Sequence, residues 1–273
     1  MTDLGTGLSV LGSAYGGAKL VEKILGPTAE YIGVGLKDWT EKRVHNVQRI
    51  FAKAADKLGD KIEEPGSVPP RVLKEILDEG SFCDNELMAE YFGGVLASSR
   101  SGVSRDDRAA HYLKLTTDLS TYQIRFHYVV YATLRQLFVG SGWSPLLNDH
   151  NTQMAIYLPL TYMYATMEFC DGEPVSEIIL HCNTGLDRLK LITHYYGGSA
   201  ATISHHNKAR GWVDVHEPGI CVGPTAFGAE YWMWAVGLGA TQAELFLHEG
   251  LQLRNLPEVY IPPGAVRLLP KQG

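Results

Sequence analysis

The sequence predicts a mainly α-helical fold: a multi-helix body with a C-terminal α+β winged-helix-like module that contains a short β-hairpin. Three observations carry that expectation. Apolar residues recur at three- and four-residue steps from Ile32 to Leu58, apart from one longer step across Arg43, and at four-residue steps from Leu87 to Leu96, the spacing that lines one face of a helix. From Trp212 the period changes to two, through Trp212-Val213-Asp214-Val215-His216. Turn residues Glu217-Pro218-Gly219 and an apolar return, Ile220-Cys221-Val222, follow as a hairpin would. Finally, 273 residues of which 45% are apolar and 20% charged are enough to build a substantial core.

The elements follow in order. A glycine-rich stretch from Gly5 to Gly17 leads into an amphipathic run, Lys19 to Ile24. Gly26-Pro27 then opens a helix expected to reach about Lys61, with Ile32, Leu36, Trp39, Val47, Ile50, Ala54 and Leu58 on one face and charges on the other. That apolar stripe could pack on its own domain or on a partner. Glu63-Glu64-Pro65-Gly66-Ser67 is a linker, and Pro70 starts a short helix carrying Val72, Leu73, Ile76 and Leu77. Asp84 is placed to cap the next helix, whose pairs Leu87/Met88, Tyr91/Phe92 and Val95/Leu96 fall four residues apart. Gly93 and Gly94 inside it each cost about 1 kcal/mol of helix propensity, which points to close approach of another backbone. Ser104 and Asp107 resemble a capping box ahead of a helix through His111, Leu115 and Asp118.

Ser120 or Thr121 opens a helix to Phe138 that is apolar on most sides and belongs at the centre of the fold; Gly140-Ser141-Gly142 ends it. Met154 to Leu158 reads as a strand and Leu160 to Phe169 as a helix. Val175 to Asn183 and Gly185 to Thr193 read as two more helices. After the hairpin, Thr225 caps a last helix through Phe227, Tyr231, Trp234 and Ala235, and the proline-rich segment from Pro257 to Gly273 reads as an extended arm. The resulting organisation is residues 1–67, 68–150 and 151–273.

Known chemical signatures are missing. Gly12 to Lys19 resembles a phosphate loop, but Ala18 separates Gly17 from Lys19, and Leu20 stands where a magnesium-binding hydroxyl belongs. Gly5 and Gly7 lack the third glycine of a dinucleotide fingerprint. Gly12 and Gly16 form a small-x-x-x-small pair suited to close helix packing. No G-x-S-x-G elbow occurs. The cysteines Cys83, Cys170, Cys182 and Cys221 contain no C-x-x-C pair, and Met1 leads into Thr2 and Asp3, not a basic n-region. Reduced thiols in a cytoplasmic protein are the expectation. The uncharged stretches Leu4 to Ala18 and Asn151 to Met167 fall short of the roughly 18 to 20 apolar residues of a spanning helix.

One region concentrates groups that could bind something. His181, His194, His205, His206 and His216 are five of the ten histidines, yet they lack the spacing of known zinc motifs. Cys182 beside His181 would be activated only if the fold turned both into one cleft. The same stretch has four basic residues against two acidic ones, Asp187 and Asp214. Arg188, Lys190, His205, His206, Lys208 and Arg210 are therefore the candidate basic face, able to neutralise phosphates although the whole chain carries a formal charge of −6. No metal, cofactor or catalytic residue is assigned.

Several stretches together resemble the bacterial abortive-infection alpha (Abi-alpha) family. They are Ile24-Leu25-Gly26-Pro27 with Ala29, Glu30, Ile32 and Gly33; Val68-Pro69-Pro70-Arg71-Val72-Leu73; Tyr91-Phe92-Gly93-Gly94-Val95-Leu96-Ala97 within the Glu86 to Ser98 helix; Leu119 to Tyr128; and Pro224-Thr225-Ala226-Phe227-Gly228. The similarity spans roughly residues 20 to 240. These are structural motifs, and the family brings no established active site. The resemblance implies a part in defence against bacteriophage. The first expectation is a non-enzymatic protein that recognises a macromolecule, through a protein partner, self-association or nucleic acid at the C-terminal module. Two alternatives stand beside it: a hydrolytic or nuclease-like toxin using the histidines of 181–216, and an effector whose N-terminal segment perturbs membranes.

Overall fold

The computed structural model describes residues 41–101 and 105–269. The chain forms two compact units interleaved in sequence. The first comprises Met1–Thr121, Met233–Ala240 and Leu253–Pro257; the second comprises Tyr122–Trp232, Thr241–Gln252 and Glu258–Gly273. The expectations for the glycine-rich segment, the Gly12/Gly16 pair, the start of the long helix and Ser104 lie outside the described residues.

In the first unit, α1 (Glu41–Leu58) continues into a 3-10 turn, Gly59–Glu63. Val47, Ile50, Phe51 and Ala54 bury the apolar stripe of α1, which packs chiefly on α3 (Glu86–Ser99). Between them, α2 (Pro70–Asp78) begins on Pro70 as expected, since a first-turn proline has no helical hydrogen bond to lose. The cap of α3 is Asn85, not Asp84: its side chain accepts from the Met88 N–H at 2.9 Å, while Asp84 pairs with Lys42. Gly93 and Gly94 do admit neighbouring backbone. A Cβ on Gly93 would lie 3.0 Å from the Ile50 carbonyl oxygen, and one on Gly94 only 1.6 Å from that of Ala235. Lys57 and Glu90, 1% and 9% exposed, form a buried ion pair of 2.6 Å. α4 (Arg108–Asp118) sets Tyr112 against Trp234 in a stacked pair.

The second unit is built around α5 (Thr121–Phe138), in which Ile124, Phe126, Val129, Val130, Tyr131, Leu134 and Phe138 are fully buried. Buried polar groups on this helix must find partners, and they do. The Tyr131 hydroxyl donates to the Leu191 carbonyl at 2.7 Å and accepts from the Thr225 N–H, and the His127 ring bonds the Gly228 carbonyl. There follow α6 (Asn148–Gln153), β1 (Ile156–Pro159), α7 (Leu160–Met167), α8 (Val175–Arg188), β2 (Thr193–Gly198), α9 (Ala200–Arg210), β3 (Gly219–Gly223), α10 (Ala226–Ala235) and β4 (Val266–Arg267). Thr225 caps α10 by accepting from the Gly228 N–H. The four strands make an antiparallel sheet of order β2-β3-β1-β4, with Ile156 opposite Val222 and a bulge between His194 and Tyr196.

Three local expectations are corrected. Trp212 to His216 is no strand, so the hairpin of a winged-helix module is absent among the described residues; every pair of successive strands is separated by helix. The segment buries Trp212 and Val215, three residues apart, while Val213 is half-buried and Asp214 and His216 are exposed. Its backbone bonds go elsewhere: Val213 N–H to the Leu268 carbonyl, Val213 C=O to Asn207 Nδ2, and Val215 N–H to Ser204 Oγ. Second, α8 is one helix to Arg188, and Thr193 opens a strand. Third, the C-terminal segment is no free arm. β4 pairs with β1, and Leu268 is fully buried, its N–H bonded to the Ala155 carbonyl at 2.9 Å.

Candidate binding face

Four of the six candidate basic residues lie on α9. Ser199 caps this helix by accepting from the Thr202 N–H, and Gly211, at φ +69°, ends it in the left-handed turn that glycine tolerates. Ile203 and Asn207, four residues apart, face inward and are fully buried. Asn207 is held by the Tyr196 hydroxyl, which donates to its Oδ1 at 2.6 Å. His205, His206 and Lys208 point outward and are exposed. Arg210 continues the inward row but at the helix end, where its guanidinium reaches over aromatic rings. Its central carbon lies 5.3 Å from the Tyr195 ring centre, 5.9 Å from Tyr196 and 5.0 Å from Trp212. His206, one turn earlier, packs on Tyr196 at 4.9 Å.

The rings are fixed from below. Tyr195 and Trp212 meet edge-to-face at 5.1 Å, and beneath them lie Ala155, Tyr157, Ile203, Val215, Cys221 and Leu268. Arg210 therefore rests on a rigid platform, yet the residue remains exposed. Stacking occupies one face of a guanidinium and leaves its edge N–H groups free to donate to a carboxylate or phosphate. Burial pushes the Tyr196 phenol up to about 12 and the Cys221 thiol likewise to about 12, the nearby Arg210 charge opposing the rise in each case. Both groups are neutral at physiological pH, so this positive charge is not cancelled from below.

Arg188 and Lys190 form a separate group at the end of α8, on the approach to β2. Both are exposed. The helix closes with the Leu191 N–H bonded to the Leu186 carbonyl and the Lys190 N–H to Asp187, a Schellman closure that places Lys190 at φ +59°. The Thr225 hydroxyl donates to the Lys190 carbonyl. None of the six basic side chains forms an ion pair with a carboxylate among the described residues.

The histidines are not gathered into a catalytic set. His205 and His206 are neighbours, 5.6 Å between ring centres, but His181 is exposed on α8, His194 is half-buried in β2 and His216 lies in the loop between α9 and β3. No group of three His, Cys, Asp or Glu side chains able to hold a metal ion occurs among the described residues. Cys182 and His181 do not share a cleft. Successive helix residues point about 100° apart, so His181 faces outward while Cys182 is fully buried, its thiol pushed up to about 12 by desolvation. The platform of Tyr195, Tyr196 and Trp212 is what sequence reasoning missed. Its signal was a pair of adjacent tyrosines assigned to no element. No helix among the described residues is long and apolar enough to cross a membrane. No family model, curated protein or solved structure matches the chain.

Proposed function

We propose that this protein is a non-enzymatic recognition protein whose α9 face binds the phosphate backbone of a single-stranded nucleic acid. In line with the resemblance to the Abi-alpha family, we place that binding in bacterial defence against phage. The observation that carries the reading is Arg210, held over three rings with its hydrogen-bonding edge exposed. His206 beside Tyr196, with Lys208 and His205 outward on the same helix, extends a surface where charge and aromatic stacking occur together. That combination suits unpaired nucleotides, whose backbone seeks cations and whose bases seek flat surfaces. The negative charge of the whole chain disfavours indiscriminate binding and leaves recognition to this face.

Fluorescence anisotropy with labelled single-stranded and duplex oligonucleotides tests the reading. Single strands bind more tightly, and affinity falls as salt rises. Arg210→Ala weakens binding about tenfold or more, whereas Lys208→Ala reduces the salt slope by about 0.7 for one lost phosphate contact. Absence of binding to every oligonucleotide at low salt overturns the nucleic-acid assignment. Unchanged phage plating after deletion of the gene overturns the defence role.

A further inference from the structure

Away from that face, the second unit contains a cleft of about 400 Å³ between Gly140, Gly142, Trp143 and Ser144 on one side and Glu244, Leu247, His248 and Glu249 on the other. The volume lies near the lower end of small-ligand pockets, which run from about 300 to 1,000 Å³. We infer that this cleft is a binding site for a small organic cation of the quaternary-ammonium type.

The walls are built and fixed. Arg135 reaches from α5 to the carbonyls of Phe246, His248 and Leu251, so one guanidinium ties down the whole turn that supplies the cleft's carboxylates. The Gly140 N–H donates to the Leu247 carbonyl at 3.0 Å and joins the opposite wall to the same turn. Gly140, at φ +74°, leaves room for Glu249, whose carboxylate oxygen would lie 2.2 Å from a Cβ there. On the other side, the loop carrying Trp143 is held by the Ser144 N–H donating to His150 Nδ1 at 3.0 Å, and by the Trp143 ring packing on Phe138 at 5.4 Å.

The charge of the lining selects the ligand. Glu244 and Glu249 are carboxylates, and neither is in an ion pair among the described residues. No lysine or arginine lines the cleft, and Arg135 spends its donors on carbonyl groups. His248 Nδ1 accepts from the Gly250 N–H at 3.0 Å, which holds its ring against the turn. Two negative groups beside an indole, with Leu247 as the apolar floor, match a cation with a greasy surface. Tryptophan is the best of the aromatic faces for such a group. A hydrated metal ion would use the carboxylates but gain nothing from the indole. An anion would meet repulsion.

Titration calorimetry with choline, and with its uncharged isostere 3,3-dimethyl-1-butanol, decides the matter. Choline binds saturably, and the neutral analogue binds about tenfold or more weakly, as the loss of one charge contact requires. The double variant E244Q/E249Q, which keeps shape and removes charge, weakens choline binding by at least about tenfold with an unchanged melting temperature. Trp143→Phe weakens it less, because a ring remains. Equal binding of the two probes, or no saturation with choline at about 10 mM (about 10,000-fold weaker than a micromolar ligand), overturns the proposal. Because the oligonucleotide assays read α9 and this titration reads the cleft, either result stands without the other.

Discussion

His127 shows what burial does to a single ionisable residue. The ring lies fully inside the second unit, between Tyr131 and Tyr231, at 4.7 and 4.9 Å. Desolvation drives its pKa from 6.5 down to about 3, against the opposing hydrogen bond to the Gly228 carbonyl. The unfolded chain therefore takes up a proton that the native chain refuses. The contribution is intact above about pH 6.5 and declines as pH falls toward 3. At pH 5 it costs about 2 kcal/mol. Urea unfolding at pH 8 and pH 5 measures this. His127→Gln, which keeps a donor for the carbonyl, loses most of that difference while other groups titrate as before. The residue was legible in sequence as part of a central helix. Its neutrality was not, because the burial that enforces it comes partly from Tyr231, about a hundred positions away.

At the scale of elements, legibility followed the range of the interaction that makes each one. α2, α3, α5, α7 and α10 could be read because caps, prolines and apolar periodicity act within a few residues. The glycine pair Gly93-Gly94 even announced its packing, since two glycines in mid-helix have no local justification. The sheet was illegible in part: β2 holds two tyrosines and two glycines, and its partner β3 comes after an intervening helix. The candidate face shared that fate. Its charges were visible as residue types, but the ring platform beneath Arg210 exists only once α9, β2 and the Trp212 loop are folded.

Lys190 offers a test at this scale. The Schellman closure of α8 favours glycine at the left-handed position, and a lysine there costs about 0.5–1 kcal/mol. Lys190→Gly should therefore raise stability by about that amount in chemical denaturation. If the lysine also contacts phosphate, the same variant loses oligonucleotide affinity. A stabilised protein that binds less well would mark the position as one where folding and recognition pull in opposite directions.

For the whole molecule, the thiols give the most direct readout of integrity. Cys83, Cys182 and Cys221 are buried and Cys170 is exposed. Desolvation holds the Cys83 thiol up at about 11 and the other two buried thiols at about 12, so none of the three is readily available as a thiolate. A thiol reagent applied to the native protein should therefore consume one cysteine quickly and stop, with all four reacting in denaturant. Fast labelling of a second thiol would show that a unit opens more often than its packing implies.

The interleaving of the two units also constrains the order in which the protein can be made. The first unit is completed by Met233–Ala240 and Leu253–Pro257, and the sheet of the second by Leu268 and β4. Neither can close its core while the ribosome still holds these residues, so a nascent chain emerges with Gly94 facing no Ala235 and with the β1 edge bare. Until those residues emerge, the uncovered edge is open to chaperones or to pairing with another unfinished chain.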